Sequence, residues 1–382
     1  MAETKARKTN YDFQVFKAIA ITLICAGHMW NKGFGGPFDL FPGYSFHVAA
    51  FAFVGGYFYN PRNDAAPLRY IGRKARALLV PTFLFNVAYG ALAVWLHRLG
   101  FDWQGETQFY YELNFDTLVR LPLLSGHQFN LNYVMWFVPS LFFAEAGYVL
   151  VRRLASLPGK PAVTEAVACA TAVLLGAWAI RTGGESGLPP SVTLMMGRSC
   201  FLMAFVGIGR LVALRPQLLP AQRALRTLAL CCLLQLVLTF ACEGDVRYVA
   251  AWLRFPHGVM LTYLVTLNGI AFWLCVSKIL APSIGKSRAV NAVANSTYSI
   301  MMHHRLGFFL LSGAYFLISR HTPLFSDFSV EKFMVEESFH YYPGGYVQSA
   351  MIYLIVGMGL PLLMHGSWGA LKRRAGRTSG SL

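Results

Sequence analysis

Six ionisable side chains interrupt the apolar stretches of this sequence and could carry chemistry there. They are His28, Glu145, Arg198, His303, His304 and Arg305. An ionisable group inside a bilayer is costly, so each is a candidate functional residue. The alternative is a structural network between helices, for example Glu145 neutralising Arg198 or Arg305. We favour that alternative for Glu145 and Arg198 taken singly, and a functional role for His28.

Lys17 and His28 share one predicted helix. They lie eleven residues apart, which places them within roughly 20° of one helix face and about 16 Å apart along its axis. If Lys17 lies at the inner membrane boundary, His28 lies near the middle of the bilayer. This spacing suits a long ligand with an anionic head and a reactive tail, such as an acyl-coenzyme A. Taken alone, Lys17 would be an ordinary snorkelling lysine.

Arg73 and Arg76 begin a later apolar run, and their spacing places them on one helix face. Two guanidinium groups so placed can bind a phosphate through paired hydrogen bonds. The same residues would also serve as the positive charges that orient a helix in the membrane. The sequence leaves both interpretations open.

Long apolar helices must position these residues. The chain is 55% hydrophobic and only 13% charged, whereas soluble domains average nearly twice that charged fraction. A bilayer core about 30 Å thick requires roughly 20 apolar residues in a helix. Ten runs are predicted to cross the membrane: 13–30, 44–59, 77–96, 131–151, 163–180, 190–211, 228–242, 257–276, 293–318 and 346–364. The predicted fold class is all-α, a polytopic membrane helix bundle of about ten transmembrane helices.

The charges between these runs predict the orientation of the chain. With a cytosolic N-terminus, 23 of the 33 Lys and Arg residues fall on the inner side, 8 on the outer side and 2 within helices. This positive-inside bias predicts that both termini are cytosolic. The cell inner (plasma) membrane is the expected location, because its anionic inner surface suits the basic residues between the runs. Trp136 and Trp252 lie at predicted outer ends, as in an aromatic belt.

The composition argues against several kinds of site and partner. The net charge of +16 is spread between the apolar runs, so membrane lipids are the expected partner and nucleic acid is not. The seven cysteines lie in apolar segments without metal-ligand spacing, which predicts neither a metal site nor a disulfide framework. We also expect no tightly bound cofactor.

Two long outer loops, 100–130 and 320–345, are acidic and rich in aromatic residues. Their aromatic side chains could stack on a sugar or a lipid headgroup. They could equally anchor the loops at the membrane interface.

An ordered set of motifs resembles the acyltransferase-3 family, membrane-bound enzymes that O-acylate bacterial polysaccharides and related glycans. Lys17, ten intervening residues and His28 resemble the family's basic residue and histidine, and Arg73-Lys-Ala-Arg76 resembles its Arg-x-x-Arg motif. Segments 53–58, 136–142 and 295–304 are similar to three further helix signatures. The resemblance spans nearly the whole chain. Many relatives carry an acid where this chain has Gln14.

The resemblance implies one transmembrane acyltransferase domain over residues 1–370, followed by a basic cytosolic tail at 371–382. It implies transfer of an acyl group, for which we favour acetyl, from acetyl-CoA or another acyl-CoA as co-substrate. The acceptor would be a hydroxyl of a cell-surface or secreted glycan, or of a lipid-linked saccharide. His28 would be the general base, or would carry the acyl group as a covalent intermediate.

The resemblance also implies roles for the remaining polar residues. The coenzyme A phosphates would be bound by Lys17, Arg73 and Arg76. The acceptor would be oriented, or the oxyanion stabilised, by His303, His304 or Arg305. Glu145 completes the predicted substrate-binding set.

A transporter or flippase for a glycan or lipid-linked saccharide is the alternative function. The embedded charges would then line a pathway. Transporters often contain paired broken helices in related halves, and the sequence has no such repeat. A third alternative is a structural scaffold, in which the buried charges could be replaced without a phenotype.

Overall fold

A computed structural model describes residues 9–29, 40–105, 108–156, 159–183, 190–216, 224–340 and 349–378. Within these ranges the chain forms helices and turns, with two isolated β-bridges and no strand. The helices are α1 (Tyr11–Met29), α2 (His47–Tyr57), α3 (Pro67–Arg98), α4 (Leu121–Leu124), α5 (Phe137–Ala155), α6 (Pro161–Thr182), α7 (Pro190–Leu214), α8 (Ala224–Ala241), α9 (Gly258–Ile284), α10 (Arg288–Asn295), α11 (Thr297–His321), α12 (Val330–Val335) and α13 (Ala350–Thr378). The side chains of the predicted tail, 371–382, lie outside the described residues.

Each of the ten predicted spans overlaps a helix of the bundle. Six helices of the described chain are long and apolar enough to cross a membrane: Pro67–Arg98, Asn130–Ala155, Pro161–Thr182, Val192–Leu214, Ala224–Ala241 and Gly258–Ile284. His47–Tyr57 and Ala350–Gly366 are shorter apolar helices. The apolar runs of α1 and α11 are interrupted by the ionisable residues named above. The predicted fold class is confirmed, and the chain is a multi-pass membrane protein.

Helix α1 lies inside the bundle. It packs against α2, α9, α10, α11 and α13. Most of its buried side chains, among them Phe16, Ile21 and Cys25, belong to the main hydrophobic core. A helix surrounded by protein can carry polar side chains that lipid would not tolerate, because other helices supply their partners.

Helices α2 and α7 cross closely because glycines lie at their contact. A Cβ atom on Gly56 would collide with the carbonyl oxygen of Val206, and one on Gly209 would collide with the carbonyl of Phe53. Small residues allow such close packing of helices in membranes. The small-residue segment 53–58 therefore holds α2 between α1 and α7.

Aromatic contacts show which helix ends lie together. The Phe13 and Tyr57 ring centroids are 4.3 Å apart, and those of Tyr59 and Tyr70 are 5.8 Å apart. The first turns of α1 and α3 and the last turn of α2 therefore share one end of the bundle. We call it the inner end, because the charge bias predicts that it faces the cytosol, and we call the opposite end the outer end.

Candidate active site

His28 lies in the last turn of α1, at the outer end. Its half-buried ring lies 5.2 Å from the ring of His304, between centroids. The hydroxyl of Tyr44 lies 3.4 Å from Nδ1 of His28. The Tyr44 ring also lies against Gly27, where a Cβ atom would be 3.0 Å from the ring. The fold thus turns His28 toward Tyr44 and His304.

The hydrogen bonds of His304 fix which of its nitrogens carries the proton. Nδ1 lies 2.9 Å from the backbone carbonyl oxygens of both Ile300 and Met301. A carbonyl oxygen only accepts, so Nδ1 must be the protonated nitrogen and donates. Nε2 of the neutral ring is then an acceptor. It is buried, and it has no hydrogen-bond partner among the residues that the structure describes.

Arg305, the next residue on α11, makes a buried ion pair with an outer segment. Its Nη2 donates to Glu337 Oε1 at 3.0 Å and to Asn130 Oδ1 at 2.5 Å. Its guanidinium carbon lies 4.9 Å from the centre of the Tyr133 ring. Both charges of the pair are nearly removed from solvent, with side chains 2% and 11% exposed. Glu337 therefore neutralises Arg305, which directly follows His304 on α11.

His303 points to a different helix. Its Nδ1 lies 2.8 Å from the hydroxyl of Tyr89, and its ring contacts Phe85 edge to face at 4.5 Å. Successive residues of a helix are rotated by about 100°, so His303 faces α3 while His304 faces α1. The structure brings His304 to His28 and directs His303 to Tyr89.

The two long outer loops pair with each other above this site. Backbone amides of Asp102 and Gln104 donate to Met334 and Val335, and that of Glu337 donates back to Gln104. The loop aromatics are packed together, because Trp103, Phe109, Phe328 and Phe333 are buried in one cluster with Phe309 of α11. Tyr341 and Tyr342 lie outside the described residues. The described aromatics thus hold the two outer loops together, a role that the sequence did not predict. We call these paired loops the outer cap.

Lys17 lies near the inner end of α1 and is half-buried. Ile21 and Ile24 lie between Lys17 and His28 on the same face, and they are 1% and 6% exposed. Both belong to the main core. A ligand that extends from Lys17 to His28 must therefore displace these side chains or pass beside them.

At the basic start of α3, the side chain that points into the bundle is not one of the two arginines that the sequence predicted. Arg73 and Arg76 are exposed, and Arg73 donates to the side chain of Asn63 at 3.1 Å. Lys74 instead reaches Glu145 on α5, with Nζ 2.6 Å from Oε2. The suggested pairing of Glu145 with Arg198 or Arg305 is wrong, because Lys74 of the neighbouring α3 neutralises it.

The contacts of Arg198 indicate a structural role for this buried side chain. Its guanidinium donates to the backbone carbonyls of Ala251 and Ser125 and to Nε2 of His127. Its carbon lies 4.9 Å from the Trp136 ring and 5.9 Å from the Trp252 ring. Trp136 is buried, so its assignment to a membrane-facing aromatic belt is wrong. These rings and carbonyls offset the cost of a buried cation.

A second charged network lies at the inner end. Arg152 pairs with Asp64 at 2.9 Å and with Glu165 at 2.6 Å, and Arg210 also contacts Glu165, at 2.8 Å. The Arg152 side chain is only 2% exposed. The four groups border a cavity of about 920 Å³ whose walls are mostly apolar. Because the charges balance, this network joins α5, α6 and α7 to the segment after α2.

The family model described as an acyltransferase domain, that of the acyltransferase-3 family, matches residues 10–364. The chain belongs to the acyltransferase-3 family. No curated protein and no solved structure matches it.

In this acyltransferase-3 member, the sequence did not point to every polar residue around His28. Tyr44, Asn130 and Glu337 were not identified, and neither was Lys74 as the partner of Glu145. Tyr44 and Asn130 are neutral, and Glu337 lies in a loop with other acidic residues. The one available signal was Asn130, a polar residue that directly precedes the predicted span 131–151.

The described residues of this acyltransferase-3 member contain no group of three or more His, Cys, Asp or Glu side chains that could hold a metal ion. The cysteines are free thiols within the described structure.

Proposed function

We propose that this chain transfers an acetyl group from acetyl-CoA to a hydroxyl of a cell-surface or secreted glycan, in the cell inner membrane. Membership of the acyltransferase-3 family supports acyl transfer. The observation that carries the proposal is the pair of imidazoles, His28 and His304, 5.2 Å apart inside the bundle and below the outer cap. An imidazole is the side chain best suited to move a proton near neutral pH.

The reaction needs one base and two proton transfers. The hydroxyl oxygen of the acceptor attacks the thioester carbonyl carbon, and its proton passes to a ring nitrogen of His28. The tetrahedral intermediate then collapses, the C–S bond breaks, and its electron pair leaves with the coenzyme A sulfur. The imidazolium returns the proton to that sulfur, which gives the ester and the free thiol. Nε2 of His304 can accept a hydrogen bond that orients the acceptor.

The binding of acyl-CoA would begin at the inner end. Lys17, Arg73 and Arg76 lie on the side that the charge bias assigns to the cytosol, and the two arginines are exposed. The phosphates would bind there, and the pantetheine arm would extend about 16 Å toward His28. Since Ile21 and Ile24 are buried along that face, the arm would displace these side chains or pass beside them.

Isotope transfer in membranes tests the proposal. Membranes with and without the chain would be incubated with acetyl-CoA labelled in the acetyl group, and the glycans would be analysed by mass spectrometry. We expect label in the glycan only when the chain is present, in a form that mild alkali releases as an ester would be. Movement of a saccharide across the membrane without acylation would contradict the proposal and favour a transporter.

Replacing Arg73 and Arg76 together with alanine is expected to raise the KM for acyl-CoA by about tenfold or more, because hydrogen bonds to charged groups contribute roughly 1.5–3 kcal/mol each. The kcat should change little, since these residues lie far from His28. Steady-state kinetics over a range of acyl-CoA concentrations would measure both. Arg69→Ala, at an exposed arginine one turn earlier on α3, is the matched control. Equal KM values in the double variant and the control would contradict the assignment.

A further inference from the structure

The side chain of Asn130 uses only one of its two polar ends. It is 1% exposed, and its Oδ1 accepts from Nη2 of Arg305 at 2.5 Å. A guanidinium group has only donors, so the atom that faces it must be the oxygen. The amide nitrogen therefore points away from Arg305. Nδ2 has no hydrogen-bond partner in the described part of the chain.

A buried donor without a partner is unfavourable. Burial removes its hydrogen bonds to water without replacing them, and folded proteins satisfy the great majority of such groups. The rest of the Asn130 environment is well defined, because Arg305 is held by Glu337 at 3.0 Å and by the Tyr133 ring. The orientation of Nδ2 is thus imposed by its neighbours and is not a consequence of loose packing.

This donor lies beside the helix that carries His304. Asn130 begins a 3-10 segment, Asn130–Trp136, which packs against α11. Its partner Arg305 directly follows His304, whose ring faces His28. Two of the buried groups that lack a hydrogen-bond partner among the described residues are therefore found at this end, the donor Nδ2 of Asn130 and the acceptor Nε2 of His304.

Charge decides which group can stabilise a developing anion. Arg305 is neutralised by Glu337, so much of its field is cancelled at short range. The Asn130 amide is neutral and fixed in direction, as in an oxyanion hole built from a side-chain amide. Arg305 then contributes indirectly, by holding the oxygen of the amide and directing its nitrogen.

We propose that Asn130 is a catalytic residue whose Nδ2 donates to the oxyanion of the tetrahedral intermediate, and that Arg305 and Glu337 are positioning residues that orient it. This inference rests on the proposed acyl transfer. When the acceptor oxygen adds to the thioester, the carbonyl oxygen becomes negative and receives the hydrogen bond. When the C–S bond breaks, the carbonyl reforms and the bond weakens.

The test is a variant that removes the donor and preserves the charge around Arg305. In Asn130→Asp/Glu337→Gln, position 130 still offers an oxygen to Arg305, and the net charge of the three residues is unchanged. We expect kcat to fall by about 10²–10³-fold, as when one oxyanion donor is removed elsewhere. The KM for acyl-CoA and the binding of a non-reactive thioether analogue should stay within about twofold of wild type, because ground-state binding does not use this donor.

Two further variants separate catalysis from folding. Glu337→Gln alone measures the contribution of the second substitution. Asn268→Ala removes another buried amide, which hydrogen-bonds Cys231 and Gln235 on α8, and should leave kcat unchanged. A double variant that is as stable to unfolding as wild type and keeps more than a tenth of the wild-type kcat would overturn the inference, while the proposed function would stand. A wild-type chain that transfers no acyl group would overturn both.

Discussion

Replacing His28 with alanine is expected to lower the rate of acyl transfer by about 10²–10⁴-fold, the usual contribution of a general base. The loss should appear in kcat, because His28 removes a proton in the transition state and the coenzyme A phosphates bind elsewhere. Acetyl transfer by purified chain in lipid vesicles, with initial rates corrected for protein amount, would measure it. The ring is half-buried, so the variant should still fold.

The matched control for this prediction is His321→Ala. His321 ends α11 and is exposed, so its removal tests for a general effect of losing an imidazole. We expect wild-type kinetics from this control. Wild-type kinetics from His28→Ala, at a normal protein level, would show that His28 is not the base.

Replacing Arg152 with methionine is expected to lower the free energy of unfolding by about 3–5 kcal/mol, because removal of one partner leaves buried charges unpaired. Asp64 and Glu165 would both lose their closest cation, and the rings of Tyr59 and Tyr148 would lose a cation–π contact. Equilibrium unfolding in mixed micelles by a chemical denaturant would measure the change.

Two comparisons make the Arg152 prediction specific. Arg153→Met changes the neighbouring arginine, which is exposed, and should cost less than about 1 kcal/mol. Adding Asp64→Asn to Arg152→Met removes the carboxylate that has lost its ionic partner, while Glu165 keeps Arg210, and should restore part of the lost stability. Equal stability of the Arg152→Met and Arg153→Met variants would contradict a structural role for the network.

The sequence could predict which side chains would be energetically unfavourable in contact with lipid. Five of its six candidates, Glu145, Arg198, His303, His304 and Arg305, are fully buried, and His28 is half-buried on a helix inside the bundle. The reason is physical, because an ionisable side chain in a membrane-spanning helix is costly in lipid and is therefore placed in the protein interior. The same argument identified ten apolar ranges, each of which overlaps a helix.

The pairing of these residues could not be predicted, because it depends on how distant segments fold back. Glu337 reaches Arg305 only because the outer loops pair through Gln104, and Lys74 reaches Glu145 because α3 packs on α5. Trp136 lies in the predicted span 131–151, where the sequence predicts an aromatic belt at its outer end, but the ring packs against Arg198. Hydrophobic periodicity predicts which face of a helix is buried, but it does not predict which other segment packs against that face.

A double-mutant cycle on His28 and His304 tests the central claim, that the two imidazoles serve one acyl-transfer step, most directly. The rates of His28→Gln, His304→Gln and the double variant would be measured with labelled acetyl-CoA. If the pair acts as a unit, the double variant will be within about twofold of His28→Gln, since residues that serve the same step are strongly non-additive. Losses that multiply across the two positions, or a His28→Gln variant with wild-type activity, would contradict the account.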